Sequence, residues 1–177
     1  MNINIKLLNA ALIICISLCC NLVLANGNTV SGEINLMDKD GSAKKYRSDV
    51  VVFLEQVGTK QSFEAAPKDD IVISQRGRKF RPSVVPILKG TALVFPNDDR
   101  VLHNVFSLSK MAPFDLGNYA QHESRSVTIT HSGLVTVYCN MHPAMQLDVL
   151  VLDNPYFAKT KQDGLYAIEN VPDGDYI

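Results

Sequence analysis

Cys139, His142 and Met145 recur at intervals of three in the run Val137-Tyr-Cys-Asn-Met-His-Pro-Ala-Met145. A thiolate, an imidazole and a thioether at that spacing can reach one ion from a single loop. A second imidazole, His103, stands 36 positions before Cys139, just after the turn-like Pro96-Asn97-Asp98-Asp99. A thiolate with two imidazoles makes a trigonal set, and a thioether adds a weak, long axial bond. Thiolate and thioether favour Cu(I), whereas imidazole accepts Cu(II), so the four together suit copper moving between two oxidation states. Calcium and magnesium prefer oxygen-rich ligation, which is absent. A structural zinc site is more often built from Cys and His alone, commonly in paired Cys-x-x-Cys motifs, and has no use for Met145.

Each residue alone has a bland reading. A single Cys at a strand end is usually a small buried hydrophobe, and Met usually fills core gaps. A single His is usually a hydrogen-bonding group. It is the combination, in a chain with so few cysteines, that points to a metal. Met111 and Met141 are alternative thioethers, but Met141 lies between two candidate ligands, where alternation turns it away. His122 and His131 fall on expected turns and are read as solvated. Arg76-Gly-Arg-Lys-Phe-Arg81 is a basic run, ordinarily a solvated strand edge, though one able to steer an acidic partner.

The elements that must position these residues read as β-strands. Asp49-Val-Val-Val-Phe-Leu-Glu55 is rich in β-branched and aromatic side chains. Short strands are expected at 29–36, 71–74, 83–88, 91–95, 101–108, 124–130, 134–139 and 147–152, divided by turn signals such as Asp38-Lys-Asp-Gly41 and Lys89-Gly90. Ser126 to Tyr138 reads as a hairpin turning at His131-Ser132-Gly133. Residues 56–70 are polar and read as a surface loop. No long window keeps helical periodicity as well as it keeps alternation, so a sandwich or barrel of antiparallel sheets is expected. After Asp153-Asn154-Pro155, residues 160–176 give a turn, a strand, another turn and the start of a further strand.

Lys6, the apolar stretch Leu7 to Leu18 and the small or short side chains of Val23 and Ala25 form the pattern of a cleaved secretory signal over residues 1–25. The rivals are an uncleaved anchor, for which the apolar stretch is short, and a lipoprotein signal, for which the residues before Cys19 and Cys20 fit poorly. Cleavage removes Cys15, Cys19 and Cys20, so Cys139 alone of the four cysteines stays. An exported protein that keeps one unpaired thiol needs it buried, catalytic or bound to metal. Lys6 also leaves, so 16 basic residues face 18 acidic ones. That balance gives no reason to expect nucleic acid as a partner.

Cys139-Asn-Met-His142-Pro-Ala-Met145, with Phe95-Pro-Asn-Asp-Asp-Arg-Val-Leu-His103-Asn-Val-Phe-Ser107 upstream, resembles the cupredoxin family. The short ligand loop is similar to that of amicyanin-type and plastocyanin-like proteins. Phe114-Asp-Leu-Gly-Asn-Tyr119 and Val149-Leu-Val-Leu-Asp-Asn-Pro155 resemble plastocyanin-like proteins called methylamine-utilisation proteins. The resemblance covers residues 28–158. It implies an all-β, Greek-key β-sandwich with one mononuclear type 1 (blue) copper ion held by His103, Cys139, His142 and Met145. It also implies that Asn104 braces the Cys-bearing loop by hydrogen bonding. Residues 159–177 are similar to the start of a carboxypeptidase-regulatory-like β-domain that breaks off early.

The expectation is an electron carrier, not an enzyme: a periplasmic monomer that exchanges single electrons with redox partner proteins and has no stable membrane insertion after signal cleavage. Two other readings stand beside it: a periplasmic protein that holds or delivers copper without a redox partner, and a β-sandwich binding module whose site is degenerate. No Ser-His-Asp set, phosphate-cradling Gly loop or second copper cluster is visible in the sequence.

Overall fold

The computed structural model describes residues 27–45, 48–56 and 69–177. The expected signal peptide and nearly all of the expected 56–70 loop lie outside the described residues. No helix among the described residues is long and apolar enough to cross a membrane.

The chain is all-β. Two sheets form the sandwich. One is five-stranded, in the order β6 (Val84–Leu88), β12 (Gln146–Leu152), β11 (Gly133–Tyr138), β8 (His103–Ser107), β9 (Phe114–Tyr119). The other has β10 (Ser124–Thr128), β7 (Ala92–Pro96) and β3 (Ile71–Val72). Pairs are antiparallel except β6 with β12 and β3 with β7, which are parallel. A short hairpin, β4 (Ser74–Gln75) and β5 (Phe80–Arg81), follows β3.

Period-2 alternation sets the core. Leu93 and Phe95 of β7 meet Val135 and Val137 of β11 and Leu147, Val149 and Val151 of β12, all buried. Burial of such side chains contributes about 1.5–3 kcal/mol each relative to exposure, which is why register is strongly specified here. The expected hairpin over 126–138 does not form. β10 pairs with β7, whereas β11 pairs with β12 and β8. Residues 129–132 therefore carry the chain between sheets, the winding expected of a Greek key. Ile129, 1% exposed, is buried at that crossing, and the core contact it gains outweighs a local turn.

The remaining strands pair across the length of the chain. β1 (Asn28–Glu33) is antiparallel to β14 (Leu165–Val171), and β2 (Val51–Phe53) to β13 (Phe157–Lys159). Ile177 exchanges backbone hydrogen bonds with Glu55. Tyr156, Ile168 and Val171 form a second small core here, with Val30, Val52 and Leu54 against it. The sandwich strands thus run from Ile71 to Leu152, flanked in sequence by the two halves of a smaller β-unit.

Candidate metal centre

Strand parity delivers three of the expected ligands to one end of the core. On β8, positions 103, 105 and 107 face inward; on β11 the series 135, 137 runs on to 139; on β12 the series 147, 149, 151 runs back to 145. His103 and Met145 are fully buried and Cys139 is 2% exposed. His142 lies in the connection between β11 and β12 and is half-buried. The Met145 N–H donates to the His142 carbonyl at 2.8 Å, closing the turn that carries both.

The donor atoms converge. Cys139 Sγ lies 3.8 Å from His103 Nδ1 and 3.7 Å from His142 Nδ1. All three atoms lie within 4.8 Å of one another. With metal–sulfur and metal–nitrogen bonds of about 2.3 and 2.0 Å, such separations subtend roughly 120° at an ion, whereas a tetrahedral angle needs about 3.5 Å. The residues therefore fit a trigonal ion, and the His, Cys, His, Met set matches that of a type 1 copper site. His122 and His131 are exposed, as is Met141 at 47%.

Asp99 orients the His103 imidazole. His103 Nε2 donates to Asp99 Oδ2 at 2.9 Å, which leaves the Nδ1 lone pair free toward the sulfur. Asp99 also accepts the Gly77 N–H at 2.7 Å and the Arg78 N–H at 2.8 Å. Burial pushes its carboxyl up, but the hydrogen bonds from Arg78, His103 and Gly77 outweigh that and hold it below the ordinary value. Partial burial, then the charges of His103 and Arg78, lowers the His142 imidazole; Asp99 opposes them. A neutral imidazole is the ligating form, so this favours metal uptake.

Asn104 is 1% exposed. Its Oδ1 accepts the Asn140 N–H at 3.4 Å, its Nδ2 donates to Asp115 Oδ1 at 2.7 Å, and its own N–H donates to Cys139 Sγ at 3.5 Å. The turn before His103 is held by buried Asn97, whose Nδ2 donates to the carbonyls of Val101 and Tyr119 and whose Oδ1 accepts the Asp99 N–H.

Asp99 and Asn97 were not singled out by the sequence reading. The available signal was weak: a carboxylate four positions before a candidate ligand His, within a turn. Asp99→Asn leaves one oxygen for three donors. It is expected to weaken copper binding by about tenfold, the lower end for an outer partner of a ligand, and to raise the reduction potential by removing a negative charge that favours Cu(II). Competition with a chelator and a redox titration measure both; unchanged values would remove Asp99 from the site.

No family model and no curated protein matches the chain. Solved structures do. A proline-to-alanine variant of amicyanin in its oxidised state is 22% identical, covering 47% of this chain and 82% of its own, with a TM-score of 0.44. The purple cupredoxin of Nitrosopumilus maritimus is 22% identical over 47% of this chain and 100% of its own, at 0.43. The copper-containing nitrite reductase of Thermus scotoductus SA-01 is 22% identical over 56% of this chain and 26% of its own, at 0.45. Over 47% of its length, the chain is similar to amicyanin and to another cupredoxin.

Proposed function

We propose that the chain carries single electrons through one copper ion held by His103, Cys139, His142 and Met145. The observation that supports this best is the near-equal pair of sulfur–nitrogen separations, 3.8 and 3.7 Å, at the closed end of a β-core. Copper would supply reversible one-electron chemistry there. The protein's part is to hold the donors still: His103 by Asp99, Cys139 by its place at the end of β11 and the Asn104 N–H, Met145 by full burial. Donors fixed by a packed core change little between oxidation states, which favours transfer over storage.

His142 supports the same reading. It is the half-buried ligand, and Pro143 and Ala144 beside it are exposed. A partner reaching this edge would find a covalently linked route from imidazole to metal. The pattern of residues 1–25 supports action in the periplasm, with the mature chain beginning at Asn26.

The test is a redox titration of the exported, copper-loaded protein, whose N-terminus sequencing should place at Asn26. An intense visible band in the oxidised form, bleached reversibly by one electron, is the expected result. A colourless protein that binds Cu(I) but does not cycle would favour the copper-delivery reading instead.

A further inference from the structure

Four of the chain's 17 basic residues fall within six consecutive positions, as Arg76, Arg78, Lys79 and Arg81. They occupy the β4–β5 hairpin, and all four are exposed. None of them forms an ion pair among the described residues. Arg100, exposed in the turn before His103, adds a fifth cation. Two carboxylates of the adjoining 97–101 turn are engaged: Asp98 accepts the Ser74 hydroxyl at 2.6 Å, and Asp99 binds His103 and the hairpin tip.

This hairpin is fixed to the metal centre. Asp99 holds both the tip N–H groups and the His103 ring. The Asp98 N–H donates to the Gln75 carbonyl at 3.0 Å. Phe80 is 3% exposed and packs edge-on against Phe95, 6.1 Å between ring centres. A groove beside the hairpin is lined by Lys79, Arg81 and Pro82 on one side and by Ala144 and Gln146 of the ligand segment on the other. Asp49 also lines it, but Lys159 pairs with that carboxylate at 2.7 Å.

We infer that the Arg76–Arg81 hairpin docks an acidic redox protein, whose carboxylates pair with these cations while its redox group faces His142. The inference rests on the electron-carrier reading. Cations on a hairpin held by backbone hydrogen bonds suit a fixed constellation of carboxylates. A fluid layer of anionic headgroups gains nothing from that rigidity. Long-range attraction raises encounter rates about 10- to 1,000-fold and fades with salt. Exposed Leu102 and Met141 supply apolar surface for a small, transient interface.

The test uses the reduced, copper-loaded chain and two oxidants of opposite charge, hexacyanoferrate(III) and tris(phenanthroline)cobalt(III). Transfer to the anion should slow about tenfold or more as salt rises from about 10 to 200 mM; transfer to the cation should not. The double variant Arg78→Gln/Lys79→Gln should lose most of that dependence. Lys39→Gln/Lys161→Gln, with the same loss of charge in turns of the smaller β-unit, should keep it. Equal losses in both double variants would overturn the assignment to the hairpin.

A second readout needs no copper. A decaglutamate peptide added to the metal-free chain should shift the amide resonances of 76–81, 100 and 144. Shifts spread over the whole surface would overturn the proposal. So would sedimentation with phosphatidylglycerol vesicles in the absence of localised peptide binding, which would reassign the hairpin to membranes. If neither oxidant takes an electron yet the peptide maps to the hairpin, the electron-carrier reading fails and the acidic docking site stands.

Discussion

Cys139→Ser is expected to yield a protein that folds but shows no visible colour with copper. The colour of the proposed site depends on charge transfer from a thiolate to Cu(II), and a serine hydroxyl is a harder, far less covalent donor. The change is nearly isosteric in a pocket where the side chain is 2% exposed, so the β-core should survive. His103 Nδ1 and His142 Nδ1 remain to hold Cu(II) weakly. Affinity should therefore fall by more than the roughly 10–100-fold that loss of an outer partner costs. Met145→Leu is the contrasting variant. It keeps the thiolate and so the colour, but removes the axial thioether, and the reduction potential should rise as Cu(II) loses a donor. Absorption spectra, far-ultraviolet circular dichroism and chelator competition separate these effects. An undiminished visible band in the Cys139 variant would remove that residue from the site.

Much of this site is legible in the sequence because its ligands obey strand parity. Val135, Val137 and Cys139 are one inward series, as are Met145, Leu147, Val149 and Val151. An alternating pattern that ends in a Cys, or begins with a Met, already says that those side chains face the core. What alternation cannot give is the pairing partner. The Ser126–Tyr138 run has a good turn in its middle, yet its two strands enter different sheets, β10 pairing along its whole length with β7 and β11 along its whole length with β12.

The same limit hides the smaller β-unit. β1 and β14 lie at opposite ends of the described chain, and neither strand carries a local sign of the other. β9 is obscure for a different reason. Phe114-Asp-Leu-Gly-Asn-Tyr119 is broken by Gly117 at φ 71°, and its pairing with β8 shifts register between Asn104 and Phe106. Irregular strands of this kind have no clean period to read. Asp99 escapes because a carboxylate four positions before a His is a weak pattern: its full part follows from where the 76–79 tip meets the 97–101 turn in space.

Asn104→Ala is expected to weaken copper binding about 10- to 100-fold while leaving the colour in place. The side chain joins three segments: it follows His103 on β8, donates to Asp115 on β9 and accepts from Asn140 beside Cys139. Truncation leaves the Asn140 N–H without its acceptor and Asp115 without one of its two donors, the other being the Gly117 N–H at 2.9 Å. Stranding a fully buried polar group costs about 1–3 kcal/mol; Asn140 is exposed and its bond to Asn104 only part-buried, so the freed loop can meet water by moving outward, taking Cys139 with it. The Asn104 N–H to Cys139 Sγ contact belongs to the backbone and persists, so the thiolate stays a ligand and the band should broaden rather than vanish. A purely structural role predicts a lower melting temperature for the metal-free chain and an unchanged affinity. Bracing predicts the reverse weighting, and a swap isolates it. In Asn104→Asp/Asp115→Asn a carboxylate oxygen still accepts from Asn140, and the amide–carboxylate pair between the strands is kept with its direction reversed. Affinity should then recover most of its loss. Should the single variant bind copper as tightly as the parent chain, or the swap bind no better than Asn104→Ala, these hydrogen bonds do not hold the ligand loop.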